Sequence, residues 1–396
     1  MERMVGTTVR GLRAPIIKEG DNIVDVAVDT LLKASQAEGY EIRDKDVVAL
    51  TESIVARAQG NFAHIDAIAK DISEKFGDET IGLVFPILSR NRFSTILSGI
   101  AKGAKKIVLM LSYPADEVGN HLIDIDELDD NNINPWDDVL TESQFRKLFK
   151  DTSHPFTGID YIEYYRGLVE EEDIDCEIIF SNDPKTILFY TKNIIACDIH
   201  SRKRTKRILS ENGAQLIYGL DDILIKSIEG NGYNEEYGLL GSNKATDETL
   251  KLFPRECQVV VDQIQELVKE KTGKSIEVMV YGDGAFKDPV GHIWELADPV
   301  VSPGYTSGLE GTPSEIKLKY LADNDFADLE GEELEAAISS YIKNKDESLK
   351  GKDASLGTTP RRITDLLGSL CDLTSGSGDK GTPIVYIQGY FDNFIE

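Results

Sequence analysis

Apolar residues recur at helical spacing from Ile23 to Ala37 (Ile23, Val26, Ala27, Leu31, Ala34), behind the turn-like Gly20-Asp21, and predict an amphipathic helix. The run from Asp46 to Ala58, DVVALTESIVARA, begins as a buried strand and passes into Thr51, Glu52 and Ser53. A strand ending in polar residues is a common place for a site. A second helix follows over His64 to Phe76, with Ile65, Ile68, Ala69 and Ile72 on one face and Gly77 as its stop. The apolar runs IGLVFPIL and KKIVLMLS flank SRNRFSTILSGIAKGA, which reads as a helix between two strands.

Residues 114 to 185 turn acidic and aromatic, and 186 to 225 return to the strand-like runs TILFY and IIACDI around the basic stretch HSRKRTKRIL. The most regular unit comes next. Cys257 to Lys271 places Val260, Val261, Ile264, Leu267 and Val268 on one helical face, Thr272-Gly273-Lys274 ends it, and SIEVMVYGDG follows as strand and acidic turn. Pro360 to Leu373 reads as another helix and IVYIQGY as a closing strand, while 323 to 357 is polar and predicts an acidic helix with a loop. The whole is mixed α/β: a core built from residues 1–79 and 236–396, interrupted by a central acidic lobe at 80–235.

Composition narrows the function classes. The 396 residues hold 70 acidic and 43 basic side chains, a formal charge of −27, which repels nucleic acid phosphates and argues against a DNA or RNA binder. Cys176, Cys197, Cys257 and Cys371 are far apart, without a CxxC pair, so neither a disulfide scaffold nor a thiolate zinc site is expected. No 18-residue apolar run and no secretory apolar stretch near the start of the chain suggest a cytoplasmic protein without a membrane partner.

Four segments carry candidate chemistry. Asp283 stands between Gly282 and Gly284 directly after a strand; glycines on both sides let the backbone approach a bound group, and a carboxylate there suits Mg²⁺ or Mn²⁺. An ordinary turn aspartate is the competing reading. Asp288, His292, Glu295 and Asp298 add further ligand types downstream. Ser375 to Pro383, SGSGDKGTP, can form an anion nest with Lys380 adding charge, or a plain strand-entry loop. Asp365 sits among apolar neighbours in RRITDLLGSL and needs a partner there. Arg57 in TESIVARAQGN suits phosphate or is a solvated strand-end arginine, and the arginines of Ser89–Phe93 suit carboxylate or phosphate, or pairing with the acidic lobe. HSRKRTKR reads best as a solvated, charge-balancing helix face.

In order, RGLRAPIIKEGDNIVD, DKDVVALTESIVARAQGN, GLLGSNKATDETLKLFP with the helix, TGK and VMVYGDG after it, and RRITDLLGSLCDLTSGSGDKGTPIVYIQGY resemble the coenzyme F420 γ-glutamyl ligases. The resemblance covers roughly 8–75 and 236–395. It implies a ligase that joins glutamate to a carboxylate through an acyl phosphate, with GTP (or ATP) and Mn²⁺ or Mg²⁺, working as a homodimer. Its partners are then a nucleotide, L-glutamate and a small carboxylate acceptor. By the same resemblance Asp283 and Asp365 match family acids and, with Asp379, would hold metal. Asp283, Asp365 and Arg57 would be catalytic, while Lys18, Ser53, Arg57, Gly60, Ser242, Asn243, Gly376, Gly378 and Lys380 would line the nucleotide. One family aspartate falls on Leu240, and this leaves two alternatives: a diverged, non-catalytic ligand-binding protein, or a ligase for a folate-like or peptide-like acceptor.

Overall fold

The computed structural model describes residues 4–154, 157–284, 297–345, 349, 351–355, 361–375 and 378–393. The expected order of strand, helix, strand opens the chain: Thr8–Leu12, Ile23–Glu38 and Val47–Thr51. Asn22 caps the helix by accepting from the Val24 and Asp25 amides, and Gly39, at φ +68°, closes it. The helix Ile65–Phe76 stops at Gly77, and the helix Cys257–Thr272 at Gly273.

Both ends of the chain meet in a five-stranded sheet ordered Thr8–Leu12, Ile384–Gln388, Val47–Thr51, Glu277–Tyr281 and Gly304–Tyr305. Val47–Thr51 and Glu277–Tyr281 are the parallel pair, with Thr51 opposite Tyr281. The period-two alternation of these strands buries both faces. Val48, Leu50, Val278, Val280, Ile384 and Tyr386 pack under the helices Ile23–Glu38 and Cys257–Thr272. Val47, Ala49, Met279, Tyr281, Val385 and Ile387 pack under Ile363–Ser375.

Residues 80–219 supply a six-stranded sheet, in the order Leu140–Thr141, Asp175–Phe180, Lys106–Leu111, Thr80–Val84, Asn193–Ala196 and Leu216–Gly219. All but the first, an antiparallel edge strand, run parallel. Ser94–Gly103 is the expected helix between two of its strands. The apolar run TILFY is not a strand: Pro184 in the first turn and Asp183, which accepts from the Lys185 amide, set a 3₁₀ helix over Pro184–Phe189. The basic stretch forms the helix Arg202–Glu211, of which Thr205 and Leu209 are the buried positions. All four cysteines are free, and among the described residues no helix is long and apolar enough to cross a membrane.

Candidate functional site

The parallel strands Val47–Thr51 and Glu277–Tyr281 end side by side, and the polar residues that follow them face one another. Carboxyl ends of parallel strands are where open α/β sheets bind ligands. After Thr51 comes Glu52, 5% exposed, which opens the short helix Glu52–Ala58. After Tyr281 comes Gly282-Asp283-Gly284. The two glycines are needed for different neighbours. A Cβ on Gly282 would lie 2.0 Å from Asp298 Oδ2, and one on Gly284 would lie 2.7 Å from Ser369 Cα. Through these gaps the Asp283 amide donates to Asp298 Oδ2 at 2.8 Å and the Gly284 amide donates to Asp372 Oδ2 at 3.2 Å. The group admitted beside Asp283 is thus, on each side, another carboxylate of the protein.

Two cations answer these acids. Arg92, carried by the loop after Thr80–Val84, donates from Nη2 to Asp283 at 2.6 Å and from Nη1 to Asp298 at 2.7 Å. Its loop is pinned from the other side: the Lys244 amide donates to Asn91 O at 2.8 Å, and Asn91 Nδ2 donates to Asn243 Oδ1 at 2.9 Å. Lys251 Nζ reaches Glu52 Oε2 at 3.2 Å and Ser53 Oγ at 2.7 Å. Lys251 is placed by the pairing of Thr249–Lys251 with Phe62–His64.

Four carboxylates, Glu52, Asp283, Asp298 and Asp372, therefore share two cations among the described residues. Burial, with Asp283 and Glu52 adding to it and Arg92 opposing, pushes the Asp298 carboxyl up to about 8. Burial also raises Asp372, and Asp283 and Glu52 reinforce it. Burial disfavours the charge on Arg92, but Asp298, Asp283 and Glu52 outweigh it and hold the guanidinium protonated.

The residues singled out from the sequence do not all come together. Asp283, Ser53 and Asn243 belong to this cluster, and Ser242, 1% exposed with Oγ lacking a hydrogen-bond partner among the described residues, adjoins it in the chain beside Gly241, whose carbonyl accepts from Arg92 at 3.3 Å. Lys18, Arg57 and Gly60 form a second group at the far end of the short helix. Arg57 Nε donates to Ile17 O at 2.6 Å, the Gly20 amide to Ala58 O at 2.9 Å, and Gly60, at φ +61°, leaves room for the Glu19 carboxyl. Asp379, Gly378 and Lys380 lie exposed in the turn Gly378–Lys380. Gly376 lies outside the described residues, as do Asp288, His292 and Glu295.

Asp365 is on the helix that touches the Asp283 turn, but two turns, about 10 Å, before Asp372, and it is Asp372 that makes the contact. Among the described residues no group of three or more Asp, Glu, His or Cys side chains is disposed around a metal position. Asp283, Asp365 and Asp379 accordingly do not converge as a three-ligand cage. The nearer acids are Glu52, Asp298 and Asp372. Glu52 was visible as a polar strand end. Asp298 stood among several possible ligands. Asp372 and Lys251 gave no separate signal, one lying on the same helical stripe as Asp365 and the other in a three-residue strand.

The fold and this centre define an α/β protein with an acidic candidate site, answered in part by Arg92 and Lys251, at the carboxyl ends of two parallel strands. The sequence profile of the F420-0:γ-glutamyl ligases matches residues 11–389, so the chain belongs to that family, and the match spans the central lobe as well as the core. No curated protein matches it significantly. The position of the family aspartate noted above is filled by Leu240, 1% exposed in an apolar cluster that joins the helix Ile65–Phe76 and Leu250 to the six-stranded sheet.

Proposed function

We propose that the protein joins L-glutamate to a small carboxylate acceptor, with GTP as phosphoryl donor and Mn²⁺ or Mg²⁺ as cofactor. The observation that carries this reading is the position of Asp283 and Asp372, which meet at the Gly282–Gly284 turn at the carboxyl ends of the parallel strands and are oxygen ligands of the kind a hard divalent cation takes beside phosphate oxygens and water. The donor set is all oxygen, the chemistry that hard cations select. Asp283 and Asp372 are the residues that would hold such an ion, with phosphate oxygens and water as its other ligands, and it would supply charge neutralisation for the triphosphate.

In this scheme an acceptor carboxylate oxygen attacks the γ-phosphorus and GDP leaves. The free amine of glutamate then attacks the acyl carbon, inorganic phosphate leaves, and the amine proton passes to solvent or a site carboxylate. Arg92 and Lys251 offer fixed positive charge to the transferring phosphoryl group. Lys18, Arg57 and Gly60 are one route for the rest of the triphosphate, and Gly378 and Lys380 another. Ser242 Oγ, without a hydrogen-bond partner among the described residues, is in this reading a donor for the ligand.

The test is calorimetry with GTP and Mn²⁺, followed by phosphate release with glutamate and a deazaflavin acceptor. Metal-dependent GTP binding with phosphate release stoichiometric with amide supports the reading, and absence of both overturns it. Leu240 favours one alternative, a ligand-binding protein without turnover, which the same experiment shows as binding without phosphate release. Light scattering checks the expected homodimer.

A further inference from the structure

The central sheet has a second strand-end crevice that the ligase reading does not use. Its five parallel strands run in space as third, second, first, fourth, fifth along the chain. The helix leaving the first strand, Ser94–Gly103, packs with Ile81, Leu83 and Ile107 on one face, while Arg202–Glu211, leaving the fourth, packs Leu209 with Val84, Val108 and Ile194 on the other. The strand order thus reverses between Thr80–Val84 and Asn193–Ala196, and such a switch point opens a crevice at the carboxyl ends.

What lies at that crevice is a ready anion seat. The amides of Ile199, His200 and Ser201 all donate to the carboxylate of Glu117, the last two at 3.3 and 3.2 Å, and Ser201 Oγ lies 3.1 Å from it. Successive backbone N–H groups of this kind bind phosphate oxygens as readily as carboxylate. The helix behind them carries no acid in its first turn, and Lys203 and Arg204 there are exposed. Glu117 is itself an exposed side chain, so its displacement opens no core.

A separate observation points to more than an internal cap. Asp198 is 0% exposed; its Oδ2 accepts from Ser201 Oγ and Thr205 Oγ1, each at 2.7 Å, yet Oδ1 has no hydrogen-bond partner among the described residues. The Ser201 hydroxyl touches both carboxylates and has one hydrogen to give, so this corner of the crevice is one donor short. A hydroxyl carried by a ligand supplies it.

We propose that this crevice binds a phosphate ester of a hydroxylated molecule, its phosphate replacing Glu117 on the Ile199–Ser201 amides and a hydroxyl donating to Asp198 Oδ1. The full-length protein is titrated with inorganic phosphate, ribose 5-phosphate and guanosine monophosphate by calorimetry. Glu117→Gln, which removes the competing charge, is expected to tighten all three at least tenfold, Ser201→Ala to weaken them, and Asp198→Asn to weaken only the two that carry hydroxyls. Tighter binding of ribose 5-phosphate than of guanosine monophosphate assigns a sugar phosphate, and the reverse a nucleotide. Unchanged affinities in Glu117→Gln overturn the proposal. Should that variant not fold, hydrogen exchange on the wild-type protein decides: the Ile199–Ser201 amides gain protection with the probes, or the proposal fails. Asp283→Asn is expected to leave this binding intact, which separates its outcome from that of the ligase reading.

Discussion

Arg92 and Asp298 stand 206 residues apart in the chain and meet through a 2.7 Å charged hydrogen bond, with the other guanidinium nitrogen on Asp283. One arginine of the central lobe thereby fastens the two acids that flank Gly282 in the core. Replacing it with methionine leaves buried carboxylates unanswered, an expected cost of about 3–5 kcal/mol in urea unfolding. Arg92→Lys keeps a charge but cannot bridge both acids, and is expected to lose most of the phosphate-release activity at a smaller stability cost.

Glu52 and Lys251 are the second buried pair, with side chains 6% and 11% exposed. Glu52→Gln and Lys251→Met each strand a partner, whereas the double variant strands neither. A double-mutant cycle on unfolding free energy is expected to show coupling of about 1–3 kcal/mol. Additive losses would mean that the pair contributes nothing as a pair.

Gly284 admits Ser369 and Asp372 to the Asp283 turn. Gly284→Ala forces its Cβ against the Ser369 backbone, so the helix Ile363–Ser375 must shift and take Asp372 with it. Overpacking of this sort costs about 1–3 kcal/mol, read as a lower midpoint in urea. Activity is expected to fall by tenfold or more, because the displaced carboxylate is part of the site.

Burial, joined by the nearby charge of Glu117, pushes the Asp198 carboxyl up to about 6, against about 3.9 in the unfolded chain. The native state therefore holds more protons than the unfolded one between those values, and this contribution to stability is full below pH 4 and lost as pH rises through 6. Asn at 198 can still accept from Ser201 and Thr205. The stability difference between wild type and Asp198→Asn is expected to move by up to roughly 3 kcal/mol between pH 4 and 7, in favour of the variant as pH rises. A pH-independent difference would show that Asp198 is not titrating in this range.

Local pattern revealed most of the elements and, of the four acids of the site, marked Asp283 and Asp298 as ligand types and Glu52 as a polar strand end. Helices with a capping Asn or a closing Gly, such as Ile23–Glu38 and Cys257–Thr272, are legible because their signals lie within a few residues of each other. Asp283 is legible for the same reason, flanked by glycines after a strand. The partners are not. Lys251 reaches Glu52 through a pairing between strands nearly two hundred positions apart in the chain, and no local signal encodes that register. Asp365 and Asp372 lie seven positions apart on one helical stripe, so periodicity gives both the same face and only the packing of Gly284 on Ser369 selects between them. The TILFY run misled because Asp183-Pro184 starts a turn that outweighs the strand preference of the residues behind it.

The strand Ile384–Gln388 fills the gap between Thr8–Leu12 and Val47–Thr51. On the ribosome, the two earliest strands emerge without the neighbour that joins them, while the strands of the central lobe, all within 80–219, already have theirs. The nascent chain thus completes the central sheet first and keeps the apolar Val47–Thr51 waiting, for Glu277–Tyr281 on one edge and Ile384–Gln388 on the other, a stage at which a holding chaperone has something specific to hold.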